Sequence, residues 1–277
     1  MFNNTAIDKV IKNALKEDLP YGDATSEALI SSDMRGKAEI ISREAGVVAG
    51  IEIAKRVFEM LDDEVIFDSD FSDGQKILKG DIIAKIEGKM RALLMGERTA
   101  LNFLQRLSGI ATNTSIICEM VKKYPVKVTD TRKTSPGLRL MEKYAVRKGG
   151  GWNHRFSLSD GVLIKDNHIK AAGGIKKAVS LAKERNPHTI KIEVETKTIN
   201  EVKEALDSGA DIIMLDNMDI ETMKEAIKLI GKRVLVEVSG NIGKENIVDI
   251  ARLGIDIVSI GSLTHFIKSL DMSMNIV

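Results

Sequence analysis

The chain has 277 residues, 41 Lys plus Arg against 40 Asp plus Glu, a size that fits one main domain with a smaller satellite. Near-neutral charge without a run of about five or six basic residues excludes a nucleic-acid or membrane-surface footprint; no apolar run reaches the roughly 18 residues of a membrane helix, and the first residues lack the basic and apolar parts of a leader. The one cysteine, Cys118, excludes an internal disulfide and fits a reducing, cytoplasmic compartment, its apolar helical neighbours suggesting a structural thiol.

Ile7, Val10, Ile11, Ala14 and Leu15 fall at helical spacing, which predicts an amphipathic helix over 5–17, closed by the turn Pro20-Tyr-Gly-Asp23. From Gly36 to Gly88 the pattern shortens to strands over 37–42 and 82–87 and a helix over 51–61, with turns at Asp73-Gly74 and Lys79-Gly80. An α+β satellite domain is expected there. Residues 73–88 also have the cadence of a biotinyl or lipoyl carrier segment, which would make Lys89 a modification candidate; an ordinary turn is the alternative.

A long helix is predicted over 91–124. Strands follow over 126–129, 161–165, 190–195, 211–215, 234–238 and 257–260, with helices over 174–185, 199–208, 220–230 and 244–253 between them. The stretch 130–160 is irregular, with a helix over 138–148. Short apolar strands alternating with amphipathic helices imply a parallel sheet, and without a GxGxxG fingerprint a βα barrel is favoured over a doubly wound sheet.

A βα barrel carries its chemistry at the C-terminal ends of the strands. Those ends read Asp130-Thr-Arg-Lys-Thr134, Lys165-Asp-Asn-His168, Glu195, Asp216-Asn217, Ser239-Gly-Asn241 and Gly261-Ser262. Ser239-Gly-Asn-Ile-Gly243 and Gly261-Ser-Leu-Thr264 stand at the last two strands, where barrels hold phosphate on backbone N–H groups. Glu195 and Asp216 could orient ribose hydroxyls, hold a hydrated divalent metal or stabilise positive charge at a sugar carbon. Arg132, Lys133, Arg139, His154, Arg155 and Lys165 supply cations, and arginine forks match planar carboxylate or phosphate oxygens. His154 is a candidate acid, base or ligand-positioning group; His168 and His265 read as loop hydrogen-bonders, and Arg139 and Arg147 also fit salt-bridged helix positions.

Glu97-Arg-Thr-Ala-Leu-Asn102, Asp130-Thr-Arg-Lys-Thr-Ser-Pro-Gly-Leu-Arg139, Asn153-His-Arg155, Leu163-Ile-Lys-Asp-Asn-His-Ile169, Glu193-Val-Glu195 and Met214-Leu-Asp-Asn217 resemble the quinolinate phosphoribosyltransferases. The resemblance runs from Glu17 to His265. It implies an α/β fold: an open, TIM-like βα barrel over 106–267 and an N-terminal α/β sandwich over 1–105, to which 268–277 return. It implies transfer of a phosphoribosyl group from 5-phosphoribosyl 1-diphosphate to quinolinate, giving nicotinate mononucleotide, diphosphate and CO2 for NAD synthesis, with Mg2+ and without nucleic-acid or membrane partners. A homodimer with shared sites, or a higher oligomer, is implied too. Carried over by motif, Thr131, Arg132, Lys133, His154 and Arg155 would bind quinolinate with Arg98 from the neighbouring subunit, and Lys165 would sit between quinolinate and diphosphate. Lys165, Glu195 and Asp216 would be catalytic, the two carboxylates meeting the ribose and Mg2+, directly or through water. Ser239, Gly240, Asn241, Ile260, Gly261 and Ser262 would cradle the 5-phosphate. Asn241 and Ser262 depart from the glycine and alanine common in the family, and Trp152 is a bulky neighbour for His154.

Three other readings are a paralogue of the same fold linked to molybdate uptake, a Schiff-base aldolase using Lys165, and a non-catalytic anion binder. The intact Thr131-Arg-Lys133 and Asn153-His-Arg155 sets oppose the paralogue. Borohydride trapping would reveal the aldolase, and ligand binding without turnover the anion binder.

Overall fold

The structure, a computed structural model, describes residues 4–277; residues 1–3 of the expected first domain lie outside the described residues. In chain order the first elements are α1 (Asn4–Asp18), α2 (Ala24–Leu29), β1 (Arg35–Ser42), β2 (Gly46–Val47), α3 (Ile51–Glu59), β3 (Ile66–Asp68), β4 (Lys76–Ile77), β5 (Ile82–Lys89) and α4 (Met90–Val121). Next come β6 (Lys127–Thr129), α5 (Arg139–Lys148), β7 (Val162–Ile164), α6 (Asp166–Ala172), α7 (Ile175–Arg185), β8 (Ile192–Thr196) and α8 (Ile199–Asp207). The chain ends with β9 (Ile212–Asp216), α9 (Ile220–Ile230), β10 (Leu235–Ser239), α10 (Ile247–Ala251), β11 (Ile257–Ser259), α11 (Ser262–His265) and β12 (Met272–Ile276).

These elements divide into two compact units, Met1–Ser115 with Thr134–Gly150 and Leu263–Val277, and Ile116–Lys133 with Gly151–Ser262. The division differs from a single boundary near residue 105, because the segment carrying α5 groups with the N-terminal residues. Arg106 explains that grouping: its Nε and Nη2 donate to Glu142 Oε1 at 2.9 and 2.7 Å, while Glu142 Oε2 accepts the Ser135 N–H.

The first unit is built on an antiparallel sheet in the order β12-β1-β5-β3. Alternation puts Ala38, Ile40 and Ser42 of β1 inward, as a half-buried strand with period two requires. The final strand β12 pairs with β1, Met274 opposite Ile40, so the last residues do join this unit. Helix α3 buries Ile53, Ala54, Val57 and Phe58; a side chain such as Phe58 contributes about 1.5–3 kcal/mol on burial. A Cβ at Gly96 of α4 would stand 2.8 Å from the Phe58 ring, so the glycine permits that helix to approach. Lys89 ends β5, leads into α4 and lies 3.8 Å from Asp62; it stands on no hairpin turn, and the carrier reading fails there.

The second unit is a six-stranded parallel sheet in the order β6-β11-β10-β9-β8-β7. All six strands expected from the apolar runs are present, within two residues of their predicted ends. The outer strands β6 and β7 do not pair with each other, so the barrel is open. The segment after Gly151 lies along β6: Trp152 donates its N–H to Val128 O at 2.7 Å, and Asp130 donates to Trp152 O at 3.2 Å. Backbone groups of 152 thus continue the sheet into the gap, while the Trp152 ring turns outward under Lys127 Nζ at 4.6 Å and does not crowd His154.

Helix α2 was not expected from the sequence, and two helices of the second unit depart from expectation. The segment 244–253 is helical only over α10, because Asn246 Nδ2 donates to Asn241 O and Asn246 Oδ1 accepts the Gly243 N–H. An amide side chain that takes local backbone groups competes with the helix. Conversely, α6 starts directly after Lys165, where His168 Nδ1 accepts the Lys165 N–H at 2.9 Å, a terminal donor otherwise left open. Among the described residues, no helix is long and apolar enough to cross a membrane.

Candidate active site

In the second unit the strand register sets the site. Glu195 of β8 pairs with Met214 of β9, which pairs with Glu237 of β10, and Asp216 pairs with Ser239. Side chains two apart share a face of a strand, so Glu193, Glu195, Asp216, Glu237 and Ser239 all lie on one face. Lys165, just beyond β7, reaches Glu195 Oε2 with Nζ at 2.5 Å. The Glu195 side chain is 10% exposed and that of Lys165 45%.

Lys197, which the rim-by-rim reading of the sequence missed, follows β8 and pairs with Asp166 Oδ2 at 3.1 Å. Its pKa is raised, first by the Asp166 hydrogen bond and charge and then by Glu195 and Asp216. Lys165, Lys197 and the three carboxylates therefore form one mixed-charge rim. Lys197 lies two residues past Glu195, and the same strand-end rule applied two positions further would have found it.

The cation side rests on the segment filling the barrel gap. Asp130, fully buried, accepts Asn153 Nδ2 at 2.6 Å and the His154 N–H at 2.9 Å. Arg155 Nη1 donates to Gly161 O at 2.7 Å. Burial holds the Arg155 pKa below its ordinary value, and the nearby Arg132 charge lowers it further. Two guanidinium groups close enough to repel form a receptor for an anion with more than one charge. Lys133 is exposed, with its N–H on Thr131 Oγ1 at 3.0 Å. Arg98 is an exposed position of α4 and Arg139 donates to Thr134 Oγ1; both belong to the first unit.

The phosphate candidates follow the neighbouring strands β10 and β11, whose ends pair as Ser239 with Ser259. Gly240 has φ +96°, and a Cβ there would stand 2.2 Å from Asn217 Oδ1, so only glycine lets the loop lie on Asn217. Asn241 takes φ 47°, the left-handed region that Asn enters more readily than most side chains. Its departure from glycine is therefore accommodated. Ile260 is buried; Ser239, Gly261 and Ser262 are half-buried at the rim.

His154 has a different setting from the other cations. Its Nε2 lies 3.3 Å from Glu193 Oε2 and 3.4 Å from Glu237 Oε1. Burial opposes a charged imidazole and the contacts with Glu193 and Glu237 favour one, but a proton on Nδ1 would collide with the Arg155 N–H, so the geometry holds the ring neutral. Burial likewise raises the pKa of Glu193. The three side chains are close enough to suit a metal ion, yet Nδ1 already accepts the Arg155 N–H at 2.8 Å. Nε2 then carries the ring proton and is not a ligand atom. Glu195 and Asp216 fit a cation better: two hard oxygen donors on an open rim suit a Mg2+ that keeps water and shares its shell with substrate phosphates.

The chain matches two family models, the quinolinate phosphoribosyl transferase N-terminal domain over 23–108 and the C-terminal domain over 110–275. It is 42% identical over 274 residues to a Bacillus subtilis protein bearing the name probable nicotinate-nucleotide pyrophosphorylase (carboxylating), covering 99% of this chain and 94% of that one. It is 42% identical to a quinolinate phosphoribosyltransferase (decarboxylating) of Nicotiana tabacum, covering 96% of this chain and 81% of the relative. The crystal structure of NadC from Streptococcus pyogenes matches with TM-score 0.96 and 46% identity, covering 99% of this chain and 97% of that one. With both domain models matched in order and near-complete coverage of its relatives, this chain belongs to the quinolinate phosphoribosyltransferase family.

Proposed function

We propose that the protein joins quinolinate to 5-phosphoribosyl 1-diphosphate and releases nicotinate mononucleotide, diphosphate and CO2, in the synthesis of NAD. The relatives' names support the reaction, and the observation that carries the substrate class is the Arg132 and Arg155 pair beside a rim of carboxylates. A planar pyridine dicarboxylate offers the spaced anionic groups that two arginine forks require. The loops at Ser239-Gly-Asn241 and Ile260-Gly-Ser262 receive the 5-phosphate on backbone N–H groups.

In this reading the pyridine nitrogen attacks the anomeric carbon and the C–O bond to diphosphate breaks, the electron pair leaving with diphosphate. Glu195 and Asp216 stabilise the positive charge that develops on the sugar. Lys165, held by Glu195, faces the departing diphosphate. The quaternised ring then accepts the electron pair of the breaking carbon–carboxylate bond as CO2 departs, and a proton takes the vacated ring position. Glu195 and Asp216 would hold Mg2+, which when bound neutralises charge on the diphosphate. The ion pair of Lys165 disfavours a Schiff-base role, since an ammonium must lose its proton before it can attack. We also propose a cytoplasmic homodimer, with Arg98 supplied across subunits.

The test is release of CO2 from carboxyl-labelled quinolinate, with nicotinate as the control substrate. Release that needs phosphoribosyl diphosphate and Mg2+ supports the reading. Bound quinolinate without release overturns it in favour of the paralogue or an anion binder.

A further inference from the structure

Beneath the cation pocket of the second unit, the buried carboxylates Glu193 and Glu237 do no work in the reaction as written above. Their side chains are 6% and 2% exposed, and neither Glu193 Oε1 nor Glu237 Oε1 accepts a hydrogen bond. Such groups are costly, and apolar side chains of the same volume would fill a barrel interior without that cost. They approach one shared group, the His154 ring.

That ring is held from both sides. On one side the Arg155 N–H points at Nδ1 at 2.8 Å, which leaves Nδ1 as an acceptor and places the ring proton on Nε2. On the other side Nε2 faces Glu193 Oε2 and Glu237 Oε1 together, at 3.3 and 3.4 Å. Glu237 Oε1 makes no hydrogen bond, so it acts on the ring through its charge at close range, and two carboxylates against one nitrogen oppose rotation away from either. The main chain of His154 is tied to Asp130 in the same way, so no part of the residue is left to turn. Arg155 is consequently fixed at two points, its N–H on the imidazole and its Nη1 on Gly161 O.

We propose that Glu193 and Glu237 are positioning residues: by standing together against His154 Nε2 they fix the ring that receives the Arg155 N–H, and so aim the Arg155 guanidinium at a substrate carboxylate. The proposal rests on the quinolinate reading for the identity of that carboxylate, and on geometry alone for the clamp. A merely structural pair would lower stability and all kinetic parameters together. A positioning pair acts on quinolinate alone, and only while Arg155 is present.

Two measurements separate these outcomes. In protein labelled with 15N-histidine, with the His154 signals assigned by their loss in His154→Gln, Nδ1 should resonate as unprotonated and Nε2 as protonated. A protonated Nδ1 would overturn the clamp, whether or not the wild type turns over quinolinate. For Glu237→Gln, and for Glu237→Met should that variant fold poorly, the quinolinate KM should rise by about tenfold or more, a change of about 1.4 kcal/mol, with the phosphoribosyl diphosphate KM little changed. In an Arg155→Ala background the same substitution should add no further loss of quinolinate binding, as residues acting through one another are non-additive. Additive losses, or equal losses for both substrates, would overturn the positioning role. A wild type that binds no quinolinate would sink the substrate reading instead, leaving the tautomer result to decide the clamp.

Discussion

Lys165 Nζ and Glu195 Oε2 stand 2.5 Å apart, joining the ends of β7 and β8. Glu195 is not an ordinary surface charge, because its side chain is only 10% exposed and a buried carboxylate that loses its partner pays for desolvation. Lys165→Ala should therefore reduce kcat/KM by about 10²–10³, the range for loss of one preorganised charge-stabilising group. Glu195→Gln should do the same, and the double variant should be little worse than either single one. Steady-state rates of CO2 release check this; a fully additive double variant would mean the two residues act separately.

The loop after β10, proposed to take the 5-phosphate, separates two glycine-like positions with opposite tolerance. Gly240→Ala would drive a Cβ to 2.2 Å from Asn217 Oδ1 at φ +96°, so the loop must shift and the KM for phosphoribosyl diphosphate should rise by about tenfold or more. Asn241→Gly keeps the left-handed φ of 47° and every backbone N–H, and should change that KM by less than about threefold. An Asn241→Gly variant as damaged as Gly240→Ala would show that the Asn241 side chain itself contacts substrate.

The sheet of the second unit was legible because buried parallel strands are short apolar runs, and runs such as Val162-Leu-Ile164 and Ile212-Ile-Met-Leu-Asp216 stand apart from amphipathic helices. Their polar ends were legible for the same reason: a charged residue closing an apolar run needs a purpose. Glu193 and Glu237 were not, although both lie in the strands themselves, because a sequence pattern gives no distance from β8 or β10 to His154. Helix α6 was missed because Lys165 is not a usual N-cap and His168 closes the turn from the third helical position, and the grouping of 134–150 with the N-terminal residues because the Arg106 and Glu142 contact spans thirty-six positions.

Burial alone pushes the Cys118 thiol up to about 11. The thiolate is the reactive form, so at pH 8 only about one molecule in a thousand carries it. Iodoacetamide should leave the folded protein unlabelled for as long as it takes to label the urea-unfolded chain completely, and labelling should quicken as pH rises toward 11. Rapid labelling at pH 8 without unfolding would contradict a half-buried structural thiol with a raised pKa.

Glu142 is fully buried and takes three donors: two N–H groups of Arg106 and the N–H of Ser135. Truncating one partner of such a pair leaves the other charge uncompensated, which costs more than the intact pair contributes. Glu142→Ala should thus destabilise the first unit by about 3 kcal/mol, read as a fall in the urea midpoint. Arg106→Met removes the charge that needs compensation but strands the carboxylate in the interior, and should cost at least as much. The double variant Arg106→Met with Glu142→Leu replaces both charges by apolar groups and should recover most of the loss. If the double variant is instead as unstable as the sum of the singles, the pair supplies net stability and the charge-compensation account of this contact is wrong.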